Sequence, residues 1–327
     1  MISYAIIGAG WRSEFYIRLA LLCPEEFFVS GIYIRNKEKR ELFKSKYNIA
    51  VFDNPDDLLK TKFDFLVTCV NKDSNFDVAQ DLAAKGYYVL SETPFTKATS
   101  FPNIQVAEQF HFMPRFSAYK SIIDSRLLGK ITQVNLSCCH DYHAISLIRF
   151  LLNTGDEIPK VISIKLNDTV RQYNSRSGHI KNPQIKESLQ ILSVLKFENK
   201  TAIYNFNKEQ YFSDIRQSQI IIRGTDGEIF NDYCTYYKDK NIYSFKIVRN
   251  EQGKNENLDG LSLVNITGNG KLLYTNPFKG FRLSDEDIAI ATVLTRMDKF
   301  VKTGRSFYTT EEALLDYEIS KKFTNAL

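Results

Sequence analysis

A histidine at the start of a predicted helix is the residue of this sequence best suited to acid–base chemistry. His143 follows Tyr142 and precedes the amphipathic helix that we predict over residues 144–152. An imidazole has a pKa near about 6.5, so it can accept or donate a proton at neutral pH. His143 could therefore act as an acid or a base, with Tyr142 beside it. The alternative, a histidine that only caps the helix or makes a structural hydrogen bond, stays open.

Two cysteines and a second histidine come just before His143. Cys138, Cys139, His140 and His143 are soft or borderline metal ligands close together in the chain. Successive side chains of an extended strand point to opposite faces, so these four cannot all converge on one ion. No second ligand pair stands at zinc-site spacing. We therefore predict no metal and interpret the thiols as buried and reduced.

A glycine turn follows the first predicted strand, over residues 3–8. It contains Gly8, Ala9, Gly10, Trp11 and Arg12. In a dinucleotide-binding fold the first glycine makes the tight turn, and the second lets the backbone approach a pyrophosphate at the helix N-terminus. Ser13 takes the third position and is small enough for close packing of helix and strand. The turn predicts nucleotide binding, and a purely structural turn is the alternative.

The end of the second predicted strand, residues 28–34, bears on which nucleotide binds. An acidic residue there would accept from the adenosine 2′-hydroxyl and select NAD. This chain has Arg35 and Asn36 instead, followed by further cations at Lys37, Lys39 and Arg40. A guanidinium can stack on adenine and pair with a 2′-phosphate. The pattern favours NADP, with NAD as the alternative.

The elements that must position these residues fall into two groups. Over residues 1–114, strand and helix patterns alternate, which is typical of a parallel, doubly wound sheet. Over residues 115–327, strands dominate and hairpin signals such as KDKN at 238–241 recur. We predict an α/β fold: an N-terminal Rossmann domain and a C-terminal α+β domain with an open antiparallel sheet. Two final helices, residues 285–303 and 310–323, could pack back on the first domain.

Composition sets limits on the class of protein. The chain has 327 residues, 43% hydrophobic and 25% charged, which suits a two-domain globular protein. The net charge of +5 comes from interleaved charges, so we expect no nucleic-acid partner. No apolar run reaches the roughly 20 residues of a membrane span, and no signal peptide is recognised. The five cysteines have no CxxC spacing, which favours a cytoplasmic protein. Residues 249–280 are the most polar part, and we expect them to be loop-like.

The glycine turn, the strand end Glu-Thr-Pro at 92–94 and the helix entry YHAISLIRFLL at 142–152 together resemble one family. This is the glucose-fructose oxidoreductase / inositol dehydrogenase (Gfo/Idh/MocA) family, in a divergent ETP-type branch. The resemblance spans essentially the whole chain. It implies an NAD(P)-dependent dehydrogenase or reductase acting on a sugar, polyol or related small molecule. It also implies a homodimer or homotetramer formed through the open C-terminal sheet.

The resemblance assigns roles at the strand end in YYVLSETPFTK, residues 87–97. In the family's Glu-Lys-Pro motif, glutamate and proline shape the turn beneath the nicotinamide, and lysine orients the substrate oxygen. Glu92 and Pro94 match, whereas Thr93 stands at the lysine position and can donate one hydrogen bond without a positive charge. His143 matches the family acid/base. The family aspartate four residues before it is Cys139 here, and Asp141 or Tyr142 could replace it as the orienting group.

Six further positions complete the predicted site. Two lie where the strand predicted over residues 63–70 ends and are assigned to the cofactor: Val70 and Asn71. Four are assigned to the substrate: Gln109, His111, Arg171 and Tyr173. Gln109 and His111 follow the last parallel strand, where the chain passes to the second domain and a cleft is expected. A polar strand end that binds no ligand is the alternative.

Three functions remain open from the sequence. The first is an NAD(P)-dependent oxidoreductase for a small polar substrate. The second is a redox-silent nucleotide-binding sensor or accessory protein on the same fold. The third is an NAD-assisted lyase or hydrolase, in which hydride is borrowed and returned.

Overall fold

The computed structural model describes residues 1–254 and 257–324. The chain forms two compact units. The first comprises Met1–Pro114, Glu251–Val264 and Asn276–Leu314; the second comprises Arg115–Asn250, Asn265–Thr275 and Leu315–Leu327. The chain therefore returns to the first unit after residue 250, rather than dividing once at residue 114.

The first unit is built on alternating strands and helices. In chain order these are β1 (Ile2–Ile7), α1 (Ser13–Leu22), β2 (Phe27–Tyr33), α2 (Lys37–Lys46), β3 (Val51–Phe52), α3 (Pro55–Leu59), β4 (Phe65–Thr68), α4 (Lys72–Ala84), β5 (Val89–Ser91) and β6 (Ile104–Val106). The six strands form a parallel sheet in the order β3-β2-β1-β4-β5-β6. The order reverses direction at β1, as in a doubly wound sheet, so the predicted Rossmann domain is confirmed.

Burial on both faces explains why the central strands read as continuous apolar runs. All four residues of β4 are buried, and so are the last four of β1. Helices must cover both faces of such a sheet. On one face, Phe76 and Ala79 of α4 pack in a cluster with Leu66 and Val89 of the sheet. The carboxyl ends of β1, β4 and β5 therefore meet at one edge, where ligands of this fold bind.

The second unit contains an eight-stranded sheet. Its elements are α5 (Pro114–Asp124), β7 (Ile131–Ser137), α6 (Asp141–Leu152), β8 (Lys160–Arg171), β9 (Asn174–Ser175), β10 (Gly178–His179), β11 (Ile185–Lys196), β12 (Thr201–Asn207), β13 (Gln219–Gly224), β14 (Gly227–Phe230), β15 (Tyr233–Lys238) and β16 (Asn241–Lys246). The strand order is β16-β15-β14-β13-β7-β12-β11-β8. The predicted α+β class is confirmed, with one refinement: β12 pairs with β7 in parallel, so the sheet is mixed.

The expectation of a loop over residues 249–280 is wrong for most of that segment. The structure has β17 (Val248–Lys254), β18 (Asn257–Gly268) and β19 (Lys271–Thr275); residues 255 and 256 lie outside the described residues. β18 pairs with β19 around Asn269 and Gly270, whose φ angles are 52° and 67°. Both angles are left-handed, which is the backbone of a type I′ hairpin turn.

Two helices follow, α7 (Asp285–Thr303) and α8 (Thr310–Thr324). Helix α7 begins with a capping box, in which Ser284 and Asp287 exchange hydrogen bonds with each other's backbone N–H groups. It ends at Gly304, whose φ of 70° suits a glycine. These caps fix both ends of α7, which packs on α1 within the first unit. No helix among the described residues is both long and apolar enough to cross a membrane.

Candidate functional site

The glycine turn lies at the carboxyl end of β1, against the end of β4. The Gly8 N–H donates to the Tyr33 carbonyl at 2.9 Å, and the Gly10 N–H donates to the Cys69 carbonyl at 3.0 Å. A Cβ at Gly8 or Gly10 would lie 2.8 or 2.7 Å from the Cys69 carbonyl oxygen, and Gly8 has a φ of +98°. The backbone therefore approaches β4 too closely for any side chain.

The same turn leaves backbone donors available. Among the described residues, the N–H groups of Ala9 and Arg12 donate to no protein acceptor. Ser13 is fully buried, and its hydroxyl donates to the Gly10 carbonyl at 2.7 Å, which fixes the start of α1. Free N–H groups at a helix N-terminus attract anions. The residues present thus fit the pyrophosphate of a dinucleotide.

Trp11 and Arg12 are neighbours in the turn but differ in exposure. Trp11 is 47% exposed, and the Arg12 guanidinium lies 4.3 Å from its ring centroid. The side chain of Arg12 is nearly buried and pairs with two carboxylates, Glu286 at 2.7 Å and Glu92 at 3.6 Å. Burial lowers the pKa of Arg12, but these two carboxylates outweigh it and raise the pKa above its usual value. Arg12 is therefore a fixed buried cation.

Glu92 is the acidic partner from the strand end. It is 8% exposed, and the Tyr16 hydroxyl donates to its Oε1 at 2.5 Å. Burial raises the pKa of the Glu92 carboxyl, whereas the Arg12 charge and the Tyr16 hydrogen bond lower it. We call Arg12, Tyr16, Glu92 and Glu286 the charged cluster. The sequence predicted Arg12 and Glu92 as separate cofactor ligands and missed that they form a pair.

The turn at residues 92–94 is held from behind by α4. Asn75 is 2% exposed, and its Nδ2 donates to the Glu92 carbonyl at 2.6 Å and to Ser91 Oγ at 2.8 Å. Its Oδ1 accepts from the Thr68 hydroxyl at 2.7 Å. The Thr93–Pro94 peptide bond is cis. In the described part of the chain, the Thr93 hydroxyl has no hydrogen-bond partner, so it is available to a ligand.

The end of β2 carries cations and no carboxylate. Asn36 caps α2 by accepting from the Lys39 N–H at 2.8 Å, so its side chain has a structural role. Arg40 donates to the Ile34 and Arg35 carbonyls at 3.0 and 2.8 Å. Lys39 reaches the glycine turn, where its Nζ donates to the Ala9 carbonyl at 3.2 Å. The Arg35 side chain is exposed and makes no hydrogen bond or ion pair with other described residues, so it can meet a phosphate.

Of the remaining predicted residues of the first unit, some lie beside the glycine turn and the charged cluster and others do not. Val70 lies against Gly8, whereas the Asn71 side chain caps α4 by accepting from Ser74. Gln109 is 3% exposed; in the amide orientation that satisfies both its polar atoms, it accepts from Arg12 Nη2 at 3.1 Å. The ring of His111 packs edge-on against Tyr308. Gln109 therefore joins the charged cluster, while Asn71 and His111 contact other parts of the unit.

Sequence reasoning missed a buried acid between these residues. Glu108 is 1% exposed, and its Oε1 accepts from the Phe110 N–H at 3.0 Å. Burial raises the pKa of Glu108 to about 7, while the nearby His111 acts to lower it. The signal in the sequence was a glutamate two residues after the end of β6, the last strand of the parallel sheet.

His143 lies in the second unit, in the first turn of α6. It is 4% exposed, and its ring centroid lies 4.4 Å from that of Tyr142 and 5.1 Å from that of His140. Cys139, which the sequence resemblance aligned with a family aspartate, is fully buried. The Asp141 carboxylate lies 3.7 Å from Lys208 Nζ. The predicted pair Tyr142 and His143 is thus joined by His140, which the sequence offered only as a metal ligand.

Tyr211 was not predicted at all, yet it organises this group. Its hydroxyl accepts from the His140 backbone N–H at 2.9 Å and lies 2.8 Å from His140 Nδ1. Burial, and to a smaller extent the charge of the neighbouring His143, lowers the pKa of His140 to about 4. We call His140, Tyr142, His143 and Tyr211 the neutral cluster. Within the described residues, no three His, Cys, Asp or Glu side chains are placed to hold a metal ion.

The structure does not place Arg171 and Tyr173 in the neutral cluster. Arg171 ends β8, where its guanidinium donates to the Pro183 carbonyl at 3.2 Å. Tyr173 is 45% exposed just after β8. Arg171 thus lies at the end of an edge strand of the sheet, and Tyr173 lies in the segment that follows it.

Comparison with known proteins identifies the first domain. Residues 2–111 match the model of the GFO_IDH_MocA family, described as an oxidoreductase family with an NAD-binding Rossmann fold. Over these residues the chain is similar to the Gfo/Idh/MocA oxidoreductase family. The predicted resemblance is confirmed over these residues, and the match supports NAD(P) binding and the predicted class of dehydrogenase or reductase. No curated protein matches the sequence.

Solved structures extend the likeness to the whole fold. A levoglucosan dehydrogenase in complex with NADH and levoglucosan has a TM-score of 0.67 at 12% identity, covering 99% of this chain and 96% of that one. A myo-inositol dehydrogenase from Corynebacterium glutamicum has a TM-score of 0.63 at 12% identity, covering 100% and 96%. An oxidoreductase from Agrobacterium radiobacter, in complex with NAD+, L-tartaric acid and magnesium, has a TM-score of 0.66 at 14% identity, covering 98% and 94%. At these identities the likeness shows the two-domain fold.

Proposed function

We propose that this chain is an NAD(P)-dependent oxidoreductase that transfers hydride to or from a small polar, sugar- or polyol-like substrate. The observation that carries the proposal is the glycine turn, whose free Ala9 and Arg12 N–H groups suit a pyrophosphate. A bound nicotinamide would accept or supply the hydride. The structural neighbours that bind NADH with levoglucosan, or NAD+ with tartaric acid, support this class of substrate.

His143 is the proposed acid/base. When a carbinol is oxidised, the carbon loses hydride and the oxygen loses a proton, which an unprotonated imidazole nitrogen can accept. In the reverse direction the imidazolium returns the proton. His143 is buried in the first turn of a helix, so its ring is held in place for this transfer. Thr93 offers a hydroxyl, and Tyr142 packs against the His143 ring.

A substrate screen tests this function. Purified protein is mixed with NADP+ or NAD+ and a set of polyols, sugars and sugar acids, and the formation of reduced nicotinamide is recorded. We expect turnover with at least one of these compounds. Cofactor binding without turnover across the set, in both directions, would contradict the oxidoreductase proposal.

We further propose that NADP is the preferred cofactor. The support is the cationic end of β2, with Arg35 exposed and Lys39 bonded to the Ala9 carbonyl of the glycine turn. The Arg35→Ala variant should bind NADPH about tenfold more weakly, the effect of losing one charge-assisted contact, while NADH affinity stays the same. Lys37→Ala, which removes a neighbouring exposed cation, is the matched control. An equal loss for both nucleotides would contradict the assignment.

A redox-silent nucleotide-binding protein is the second candidate. The observation that favours it is that the only cation found beside Glu92 in the described chain, Arg12, is neutralised by Glu92 and Glu286. The family lysine therefore has no equivalent free charge at Thr93. This candidate predicts saturable binding of nucleotide and no turnover, whereas an NAD-assisted lyase or hydrolase predicts product formation without net change in the cofactor.

We also propose that a second copy of the chain covers the open face of the eight-stranded sheet. Ile162, Ile164 and Leu166 alternate along β8 on one face and are 69%, 49% and 48% exposed. An apolar row of this kind marks an interaction surface, and the family resemblance implies self-association there. Ile164→Lys should convert the assembly to a monomer in light scattering, whereas Ile158→Lys, which lies before β8, should not. A monomeric wild type would contradict the proposal.

A further inference from the structure

The arrangement around Tyr211 determines where the protons of His140 lie. The His140 backbone N–H can only donate, so the Tyr211 oxygen accepts there, at 2.9 Å. The same oxygen lies 2.8 Å from His140 Nδ1. If Tyr211 donates its proton to Nδ1, every one of these polar groups is satisfied. If Nδ1 donated instead, the hydroxyl proton would have no acceptor among the described residues.

The position of Tyr211 is itself fixed by its own segment. It lies in the 3₁₀ helix Lys208–Phe212, which begins at Asn207, whose side chain accepts from the Glu209 N–H. Gln210 Nε2 donates to the Ser137 carbonyl at 2.9 Å, which ties this helix to the end of β7. The Tyr211 ring packs edge-on against Phe206 at 5.0 Å. The hydroxyl is therefore held where His140 begins α6.

His140 then presents one free ring nitrogen. With Nδ1 accepting from Tyr211, the neutral ring carries its proton on Nε2. Nε2 makes no hydrogen bond to any residue in the described ranges, although His140 is half-buried. Nε2 is not among the fully buried polar atoms, so this N–H is accessible and can donate to a ligand.

We propose that Tyr211 is a positioning residue that holds His140 as the neutral Nε2–H form, and that this N–H donates a hydrogen bond to an oxygen of the substrate. The second half rests on the proposed function, because it takes the substrate to be the oxygen-rich molecule on which His143 acts. The two imidazoles are neighbours, so one small polyol or sugar can contact both. Tyr211 and His140 together supply a fixed hydrogen-bond donor in a chain that has Thr93 at the position of the family lysine.

Neutrality of His140 also leaves the proton transfer to His143. Two imidazolium rings this close would repel, so the two rings do not both hold a second proton. Burial and the neighbouring His143 lower the pKa of His140 to about 4. The titratable or charged groups around His140 include Cys138, Cys139, Asp141, Tyr142, His143, Arg176, Lys208 and Tyr211. Of those that act on its pKa, Asp141 alone raises it, so His140 remains the neutral member.

The first test reads the protons directly and needs no substrate. The chain has four histidines, His111, His140, His143 and His179, so nitrogen-15 NMR can assign each imidazole. We expect His140 to be the Nε2–H tautomer and to stay neutral from about pH 5 to about pH 8. In Tyr211→Phe, which keeps the ring packing, a second tautomer should appear and the His140 pKa should rise. A protonated Nδ1 in the wild type, or unchanged signals in Tyr211→Phe, would overturn the positioning role.

The second test reads the donor role through substrate kinetics. His140→Gln keeps an N–H donor at a similar reach, whereas His140→Leu removes it. We expect His140→Leu to raise KM about tenfold, with His140→Gln closer to the wild type and cofactor affinity unchanged in both. Equal effects of the two variants would overturn the donor role. If no substrate is turned over at all, the proposed function fails, while the NMR result still decides the tautomer and the part played by Tyr211.

Discussion

The charged cluster and the neutral cluster have similar numbers of polar side chains but differ in whether they carry a fixed charge. In the first unit, Arg12 is buried between Glu92 and Glu286, so the group carries fixed charge. In the second unit, His140 and His143 are packed with two tyrosines and carry no permanent charge. A fixed ion network holds a backbone turn in place. A neutral imidazole pair can take up or release a proton, which is what acid–base chemistry requires.

The largest effect should come from the neutral cluster. His143→Asn removes the proposed acid/base, and turnover should fall by about 100-fold to 10,000-fold, the usual range for such a group. Nucleotide affinity should stay the same, because the variant leaves the glycine turn intact. Steady-state kinetics with the substrate found in the screen measure turnover, and fluorescence titration measures nucleotide affinity. His179→Asn, an exposed histidine, is the control, and equal activity of the two variants would contradict the assignment.

Removing the cation of the charged cluster should lower the stability of the fold. Arg12→Met leaves Glu92 and Glu286 without their cation, and losing one partner of a buried ion pair costs about 3 to 5 kcal/mol. We expect the free energy of unfolding in urea to fall by that amount. Lys97→Met breaks an exposed pair with Asp77 and should cost less than about 1 kcal/mol. Similar losses in both variants would show that Arg12 is not a structural cation.

A smaller effect concerns the buried acid next to the charged cluster. Between the ordinary glutamate pKa of 4.5 and about 7, folded Glu108 keeps a proton that the unfolded chain releases. The folded state then binds more protons, so its stability falls as pH rises through this window. Glu108→Gln should remove that fall and be more stable than the wild type above pH 7 by about 1 to 3 kcal/mol.

Urea unfolding across the pH range checks the Glu108 prediction. Glu25→Gln, which changes an exposed glutamate, should leave the profile as it is in the wild type. If Glu108→Gln shows the wild-type slope between the two pH values, Glu108 is ionised in the folded protein and its burial has been offset by another partner.

Local patterns were sufficient to predict most of the fold. The bounds of α7 were predicted without error, because Ser284 and Gly304 mark its two ends by side-chain and backbone chemistry. The β18–β19 hairpin was missed, although Asn269-Gly270 is a strong turn signal, because the polar composition of the segment was taken as evidence for a loop. In that segment, hydrogen bonding to neighbouring strands, rather than amino-acid composition, determines the secondary structure.

The two clusters could not be predicted in the same way. Arg12 and Glu286 are 274 residues apart, and His140 and Tyr211 are 71 apart, so no spacing rule connects them. The sequence indicated the chemistry at Arg12, Glu92 and His143, where a residue type stands at a recognisable strand or helix end. The sequence did not indicate the partners Glu286 and Tyr211, because only the tertiary structure brings these residues close.

Cofactor binding by the wild-type protein tests the central claim most directly. Trp11 is the only tryptophan and lies within the glycine turn, so its fluorescence reports on a nucleotide bound there. The protein is titrated with NADPH and with NADH while Trp11 emission and energy transfer to the reduced nicotinamide are recorded. We predict saturable quenching by both, with the lower Kd for NADPH. A folded protein whose Trp11 responds to neither nucleotide would contradict the account of the glycine turn, and with it the proposed oxidoreductase.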